Sequence, residues 1–196
     1  MNKYLLALCF ALGLSIHAAQ GQSLFAVNYT GSLPMGETAD FVDAFSWRGV
    51  SMEWRWFVQD QASLGLFFGW NVFHEKESGD FMLGEVAASG TQLRTVNAFP
   101  MLFTGHYYFA NEIELRPYVG AGVGLYRTLQ RNTFGIYQVE ENNWQFGFAP
   151  SVGATFPLGY NVMGNLEVRY NYALKAGDSL TQSYLGISLG LAWSQY

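Results

Sequence analysis

The sequence predicts an all-β chain: a single closed, antiparallel, up-and-down barrel of eight strands that crosses a membrane. Three observations predict it. Bulky apolar residues alternate with small or polar ones at a period of two in segment after segment, as strands with two unlike faces require. Only 13% of the 196 residues are charged while 50% are hydrophobic, against roughly 25% charged in ordinary soluble domains. The connections alternate between long and tight, as in a barrel with loops at one end and turns at the other.

The first element is an export signal. Lys3 is followed by the short apolar run Tyr4 to Leu14 and then by Ala18-Ala19-Gln20-Gly21, a small-residue cleavage site. Residues 1–21 are therefore expected to be a signal peptide and 22–196 the barrel domain. The run is shorter than the about 20 residues a helix needs to span a bilayer. Cys9 lies within it, so the mature chain has no cysteine and no disulfide.

The strands follow in order. Phe25, Val27 and Tyr29 oppose Ala26, Asn28 and Thr30. Met52, Trp54 and Trp56 oppose Ser51, Glu53 and Arg55. Leu64, Leu66, Phe68 and Trp70 oppose Ser63, Gly65, Gly69 and Asn71. The segment from Leu93 to Phe109 is apolar on both parities, which leaves its facing open. Val119, Val123 and Leu125 oppose Tyr118, Gly120, Gly122 and Gly124; Trp144, Phe146 and Phe148 oppose Gln145 and Gly147. Leu166, Val168, Tyr170 and Tyr172 oppose Glu167, Arg169 and Asn171, and Leu185 to Trp193 alternates with Gly, Ser and Ala. Long loops are expected at about 32–45, 75–92, 129–143 and 175–182, with tight connections near 59–61 and 110–114 and a moderate one at 157–164. Ten of the 15 acidic residues fall in the four long segments.

Parity alone does not say which face points out. The polar face is too poor in charge to coat a soluble protein, and eight strands enclose room only for packed side chains or one small ligand. The bulky face therefore looks outward into lipid. A bilayer demands that every backbone amide pair within the chain, so the sheet must close. Aromatic belts then fall at the two water boundaries: Tyr29, Trp70, Trp144 and Tyr172 at the loop ends, and Trp56, Tyr108, Phe156 and Trp193 at the turn ends.

The inward parity carries four charges, Glu53, Arg55, Glu167 and Arg169. Unpaired charges inside a closed barrel are costly, so the four are expected to pair across the lumen, with Arg48 or Arg116 as a candidate further partner. The favoured reading is a structural plug; the alternative is a gate or a solute-contacting lining.

Other motifs lose to structural readings. Gly186-x-Ser188-x-Gly190 matches a nucleophile elbow but lacks the acid and histidine that should follow. Gly120, Gly122 and Gly124 lack the spacing and the following helix of a phosphate loop. His74 and His106 stand in no metal-ligand motif. No catalytic residue, metal or cofactor is assigned, and the chain is not expected to be an enzyme. A net charge of −5 without a basic cluster excludes nucleic acid as a partner.

Tyr107-Tyr108-Phe109, a tight turn, then Arg116-Pro117-Tyr118-Val119-Gly120-Ala121-Gly122-Val123-Gly124-Leu125-Tyr126 resembles the small outer-membrane β-barrel family, which includes OmpW-like proteins and barrels similar to the OmpA transmembrane domain. The resemblance implies a Gram-negative outer membrane, a surround of lipid and lipopolysaccharide, and insertion by the barrel-assembly machinery. An even strand number puts both termini on the periplasmic side and the long loops outside. The implied role is structural or surface interaction without a large open pore; the alternative is a narrow passage for small solutes, hydrophobic ones included.

Overall fold

The computed structural model describes residues 22–83, 86–109, 115–134, 137–177 and 180–195, with the side chains of 77–92 and 134–139 left aside. The expected signal peptide and the turn at 110–114 lie outside the described residues.

Eight strands form one closed antiparallel barrel in sequence order: β1 (Ser23–Met35), β2 (Gly49–Gln59), β3 (Ala62–Leu83), β4 (Val86–Tyr108), β5 (Arg116–Phe134), β6 (Tyr137–Pro157), β7 (Val162–Ala173) and β8 (Gln182–Gln195). Closure comes from β1 pairing with β8, from Ser23↔Gln195 to Met35↔Ser183. Through the barrel wall every strand has a neighbour on each side, so the backbone there is satisfied within the chain as a bilayer demands.

The facing follows the alternation. Leu64, Phe68, Phe103, Val123, Phe146, Val152 and Leu189 are exposed on the outer surface, while Ser51, Thr104, Gln145, Ser151 and Ser188 are buried inside. The undecided strand β4 turns Val96, Ala98, Leu102, Thr104, His106 and Tyr108 inward. This corrects one aromatic assignment: Tyr108 is wholly buried in the lumen and belongs to no belt. Its neighbour Tyr107 takes the outward place, 47% exposed.

The loop assignments need a second correction. Two of the expected long loops are strand. β3 and β4 pair from Ala62↔Tyr107 through Glu75↔Arg94 to Leu83↔Val86. β5 and β6 pair from Arg116↔Thr155 through Arg131↔Glu140 to Phe134↔Tyr137. β3 and β4 hold 22 and 23 residues and β5 and β6 hold 19 and 21, where about 9–11 suffice to cross a bilayer. About ten residues of each hairpin arm therefore project beyond it, on the order of 30 Å at about 3.3 Å per residue. Polar residues and Gly in these segments imitate a loop, yet a ladder in water needs no apolar alternation.

The first loop is also structured. β1 runs on to Met35, and Gly36, at φ +52°, turns the chain into the short helix α1 (Gly36–Phe41). A left-handed residue at this corner favours glycine. The loop then folds into the barrel mouth: Val42 is fully buried against Phe73, Val96, Ala98 and Tyr184. Thr38 ties it to β8 by accepting from the Ser183 amide at 2.8 Å.

Candidate functional site

The lumen is stacked in layers. At the turn end Leu24, Ala26, Phe57, Tyr108, Tyr118 and Ala192 cluster. Above them lies the charged layer. Then come Phe67, Leu102, Tyr126, Ala149 and Ala173, and finally the mouth cluster closed by Val42.

Glu53 and Arg55 stand two apart on β2, and Glu167 and Arg169 two apart on β7, so each pair shares the inward face. β1 and β8 separate them and present Ala26, Ser188, Gly190 and Ala192 inward, small enough for the long side chains to meet. Arg55 is the hub. Its Nη2 donates to Glu53 Oε2 at 2.6 Å and to Glu167 Oε2 at 3.1 Å, and its Nε donates to Glu53 Oε2 at 3.0 Å. Arg169 donates from Nε to Glu167 Oε1 at 2.9 Å and from Nη2 to Glu167 Oε2 at 3.1 Å and Glu53 Oε2 at 3.5 Å. All four residues are at most 2% exposed, so solvent does nothing to soften these charges. The quartet is formally neutral, as burial at this depth requires.

Neutral groups complete the shell. Thr104 donates to Glu53 Oε1 at 2.7 Å. Arg55 Nη1 donates to the Tyr108 hydroxyl and Nη2 to the Tyr118 hydroxyl, each at 3.1 Å. The Tyr118 hydroxyl lies 3.0 Å from Glu167 Oε2 and 3.1 Å from Asn165 Oδ1, and its one proton serves either. Arg55 sits over the Tyr118 ring at 4.5 Å and Arg169 over the Phe67 ring at 4.0 Å, contacts that favour a guanidinium.

The two candidate further partners lie elsewhere. Arg48 is exposed on the outer surface. Arg116 stacks over Phe57 and Tyr108 near the turn end and donates to the Asp60 carbonyl at 2.8 Å. Sequence reasoning missed Thr104, His106 and Tyr108. Their signal was present: Thr104-x-His106-x-Tyr108 is a polar alternation, and its parity pointed inward through an otherwise apolar strand.

His106 is the odd member. Its Nε2 lies 3.4 Å from Glu53 Oε1, yet neither ring nitrogen makes a hydrogen bond. Gly120 gives it room, since a Cβ there would come within 2.5 Å of the ring. Glu53, His106 and Glu167 present ligand atoms within 4.8 Å of one another. Every carboxylate oxygen among them, however, already receives a guanidinium or a hydroxyl, so the set suits an ion-pair network better than a metal.

Apart from Tyr108, the aromatic residues expected in the belts face outward. Tyr29, Trp56, Trp70, Trp144 and Trp193 are exposed on the outer face, and Tyr172 lies partly exposed against Phe148 and Tyr170.

Comparison with known proteins agrees with this architecture. The family described as "Outer membrane protein beta-barrel domain" matches residues 6–193. No curated protein matches the sequence. Among solved structures, the chain is similar to Ail, the attachment invasion locus protein of Yersinia pestis, solved with the heparin analogue sucrose octasulfate: TM-score 0.55, 12% identity, covering 89% of this chain and 99% of that one. The outer membrane protein OprG of Pseudomonas aeruginosa gives a TM-score of 0.56 at 14% identity, covering 91% and 97%. The N-terminal β-barrel domain of Pseudomonas aeruginosa OprF gives 0.52 at 16%, covering 90% and 99%. At these identities the likeness speaks for the fold alone.

Proposed function

The chain belongs to the outer membrane protein β-barrel family, and from that premise we propose a closed barrel that serves envelope structure and surface contact rather than bulk passage. The observation that carries this reading is the filled lumen. Arg55, wholly buried on β2, reaches Glu167 on β7, and Arg169 on β7 reaches back to Glu53, so the two strands are tied across the lumen. Tyr108 and Tyr118 pack beneath Arg55 and Val42 fills the mouth. Among the described residues these layers leave ion pairs and apolar contacts where a pore would need water.

The surface role rests on the two projecting hairpins, β3–β4 and β5–β6, with the tied-down first loop beside them. We place them outside the cell and both termini in the periplasm, with lipid and lipopolysaccharide around the barrel and the barrel-assembly machinery acting at insertion. Ail was solved with a sulfated ligand, but the loop segments here gather most of the acidic residues. A polyanion is therefore a poor fit, and a basic or uncharged partner the better one.

Single-channel recording in planar bilayers tests the closed lumen. The wild-type barrel is expected to show no steady conductance. A steady conductance that rises further in Glu53→Ala would overturn the plug and favour the narrow solute passage. Protease treatment of whole cells tests the sidedness, with cleavage expected in the projecting hairpins.

A further inference from the structure

The outer surface carries a groove of about 490 Å³ at the loop end of the lipid-facing band, lined by Tyr29, Arg48, Val50, Trp70, Val72 and Asn97. Its origin lies in the register. Tyr29, Val50 and Trp70 stand side by side on β1, β2 and β3. The middle residue is small and the flanking ones are large rings, so a trough runs over Val50. β1 and β2 stop pairing at Tyr29↔Val50, while β1 continues along β8 to Met35. The trough therefore opens upward, towards Arg48.

Both walls are fixed in place. The Tyr29 hydroxyl bonds the Trp47 carbonyl. Trp70 Nε1 donates to Asn97 Oδ1 at 3.3 Å, and its ring stacks on Phe99 at 6.0 Å between centroids. Preformed walls lower the entropy cost of holding a ligand. Arg48 is different: it is exposed, and among the described residues no carboxylate pairs with its guanidinium. Other outer-surface arginines are engaged, Arg127 with Asn142 and Trp144, and Arg131 with Glu140.

We propose that this groove is a binding site for one anionic membrane lipid, with an acyl chain along Val50 and Val72 between the two rings and the phosphate on the Arg48 guanidinium. The charge complementarity is specific. A guanidinium offers a planar, paired donor set to phosphate oxygens. An unpaired cation at the polar end of an apolar trough suits a molecule with an anionic head and an oily tail. The aromatic walls lie at the level where rings meet headgroups. The site rests on the reading of the barrel as membrane-spanning.

The test folds the mature barrel into vesicles that mix phosphatidylglycerol with phosphatidylcholine, extracts it in mild detergent, and counts retained lipid by native mass spectrometry. Wild type is expected to keep one phosphatidylglycerol in preference to phosphatidylcholine. Arg48→Ala is expected to weaken that retention about fivefold, from about 1 kcal/mol for one cation near an anionic surface. Arg48→Lys should retain most of the preference, and Val50→Trp, which fills the trough, should abolish retention of either lipid. Equal retention by wild type and Arg48→Ala, or no preference between the two lipids in wild type, would overturn the site. A gel-mobility assay of folding on the same samples separates this from loss of the barrel: a wild-type chain that does not fold into the vesicles overturns the membrane-spanning reading and the site with it.

Discussion

The two faces of this one sheet treat charge in opposite ways. On the inner face, Glu53, Arg55, Glu167 and Arg169 are all but sealed from solvent. On the outer face of the same strands, Met52, Trp54 and Trp56 of β2 and Leu166, Val168 and Tyr170 of β7 stand at alternate positions with no charge among them. Both environments are poor in water, so depth does not explain the difference. Partners do. An inward side chain meets others from across the axis, and Arg55 reaches two carboxylates and two tyrosine hydroxyls. An outward side chain meets lipid, which offers none.

The sharpest way to break this comparison is to remove the hub. Arg55→Ala leaves Glu53 with only Arg169 and Thr104, and strips one cation from a neutral quartet. Breaking a buried ion pair from one side costs about 3–5 kcal/mol. Urea titration of the barrel folded in vesicles should show that loss. An unchanged midpoint and slope would mean that the charged layer contributes nothing to stability and that the inner face tolerates charge for some other reason.

The converse change puts a charge where no partner waits. Leu189 on β8 is 61% exposed on the outer face. Leu189→Arg should cost about 2–4 kcal/mol, as a cation near the midplane of the lipid face does. The same titration reads it. A cost near zero would place Leu189 outside the hydrocarbon and undo the assignment of faces.

Legibility followed the same division. The outer face could be read because lipid demands one kind of residue at every second position, and that demand is local. The Glu-x-Arg pairs on β2 and β7 could be read as inward because their neighbours Trp54 and Val168 are plainly outward. What the pairs meet was only partly legible: Arg116 was a reasonable partner by charge, yet the register carries it to the Asp60 carbonyl. Tyr108 was misplaced because most of β4 is apolar on both parities, Leu102 and Ala98 filling inner layers while Phe103 faces out, and this masked the inward parity that Thr104 and His106 share with Tyr108. Local alternation fails wherever the lumen itself wants apolar filling. The hairpin extensions were hidden for the opposite reason: beyond the bilayer no lipid demands an apolar residue at every second position, and the period-two signal disappears.

Within the lumen the neutral layers should respond less than the charged one. Asn71 donates to the Tyr184 hydroxyl at 3.3 Å and accepts from Ser32 at 2.9 Å, all of them buried. Tyr184→Phe keeps the ring among Val42, Phe73, Val96 and Ala98 and leaves the Asn71 amide without its acceptor. An unsatisfied buried donor costs about 1–3 kcal/mol. Stability should fall by that amount with the fold intact. A loss equal to that of Arg55→Ala would show that charge is not what distinguishes the layers.

The smallest expected effect comes from the same chemistry moved into water. Arg131 Nη2 lies 3.0 Å from Glu140 Oε2 on the projecting β5–β6 hairpin, a distance like those around Arg55, but the two side chains are 54% and 44% exposed. Water screens the attraction and solvates either charge when its partner is removed, so an exposed pair contributes about 0.2–1 kcal/mol. Arg131→Ala should therefore move the urea midpoint little, and less still at high salt, where the screening length shrinks to a few ångströms. If Arg131→Ala instead destabilises as strongly as Arg55→Ala, burial is not what gives these pairs their weight. If it has almost no effect while Arg55→Ala is severe, two Arg–Glu contacts of similar length draw their different weight from burial and from the further partners that the closed lumen brings to Arg55.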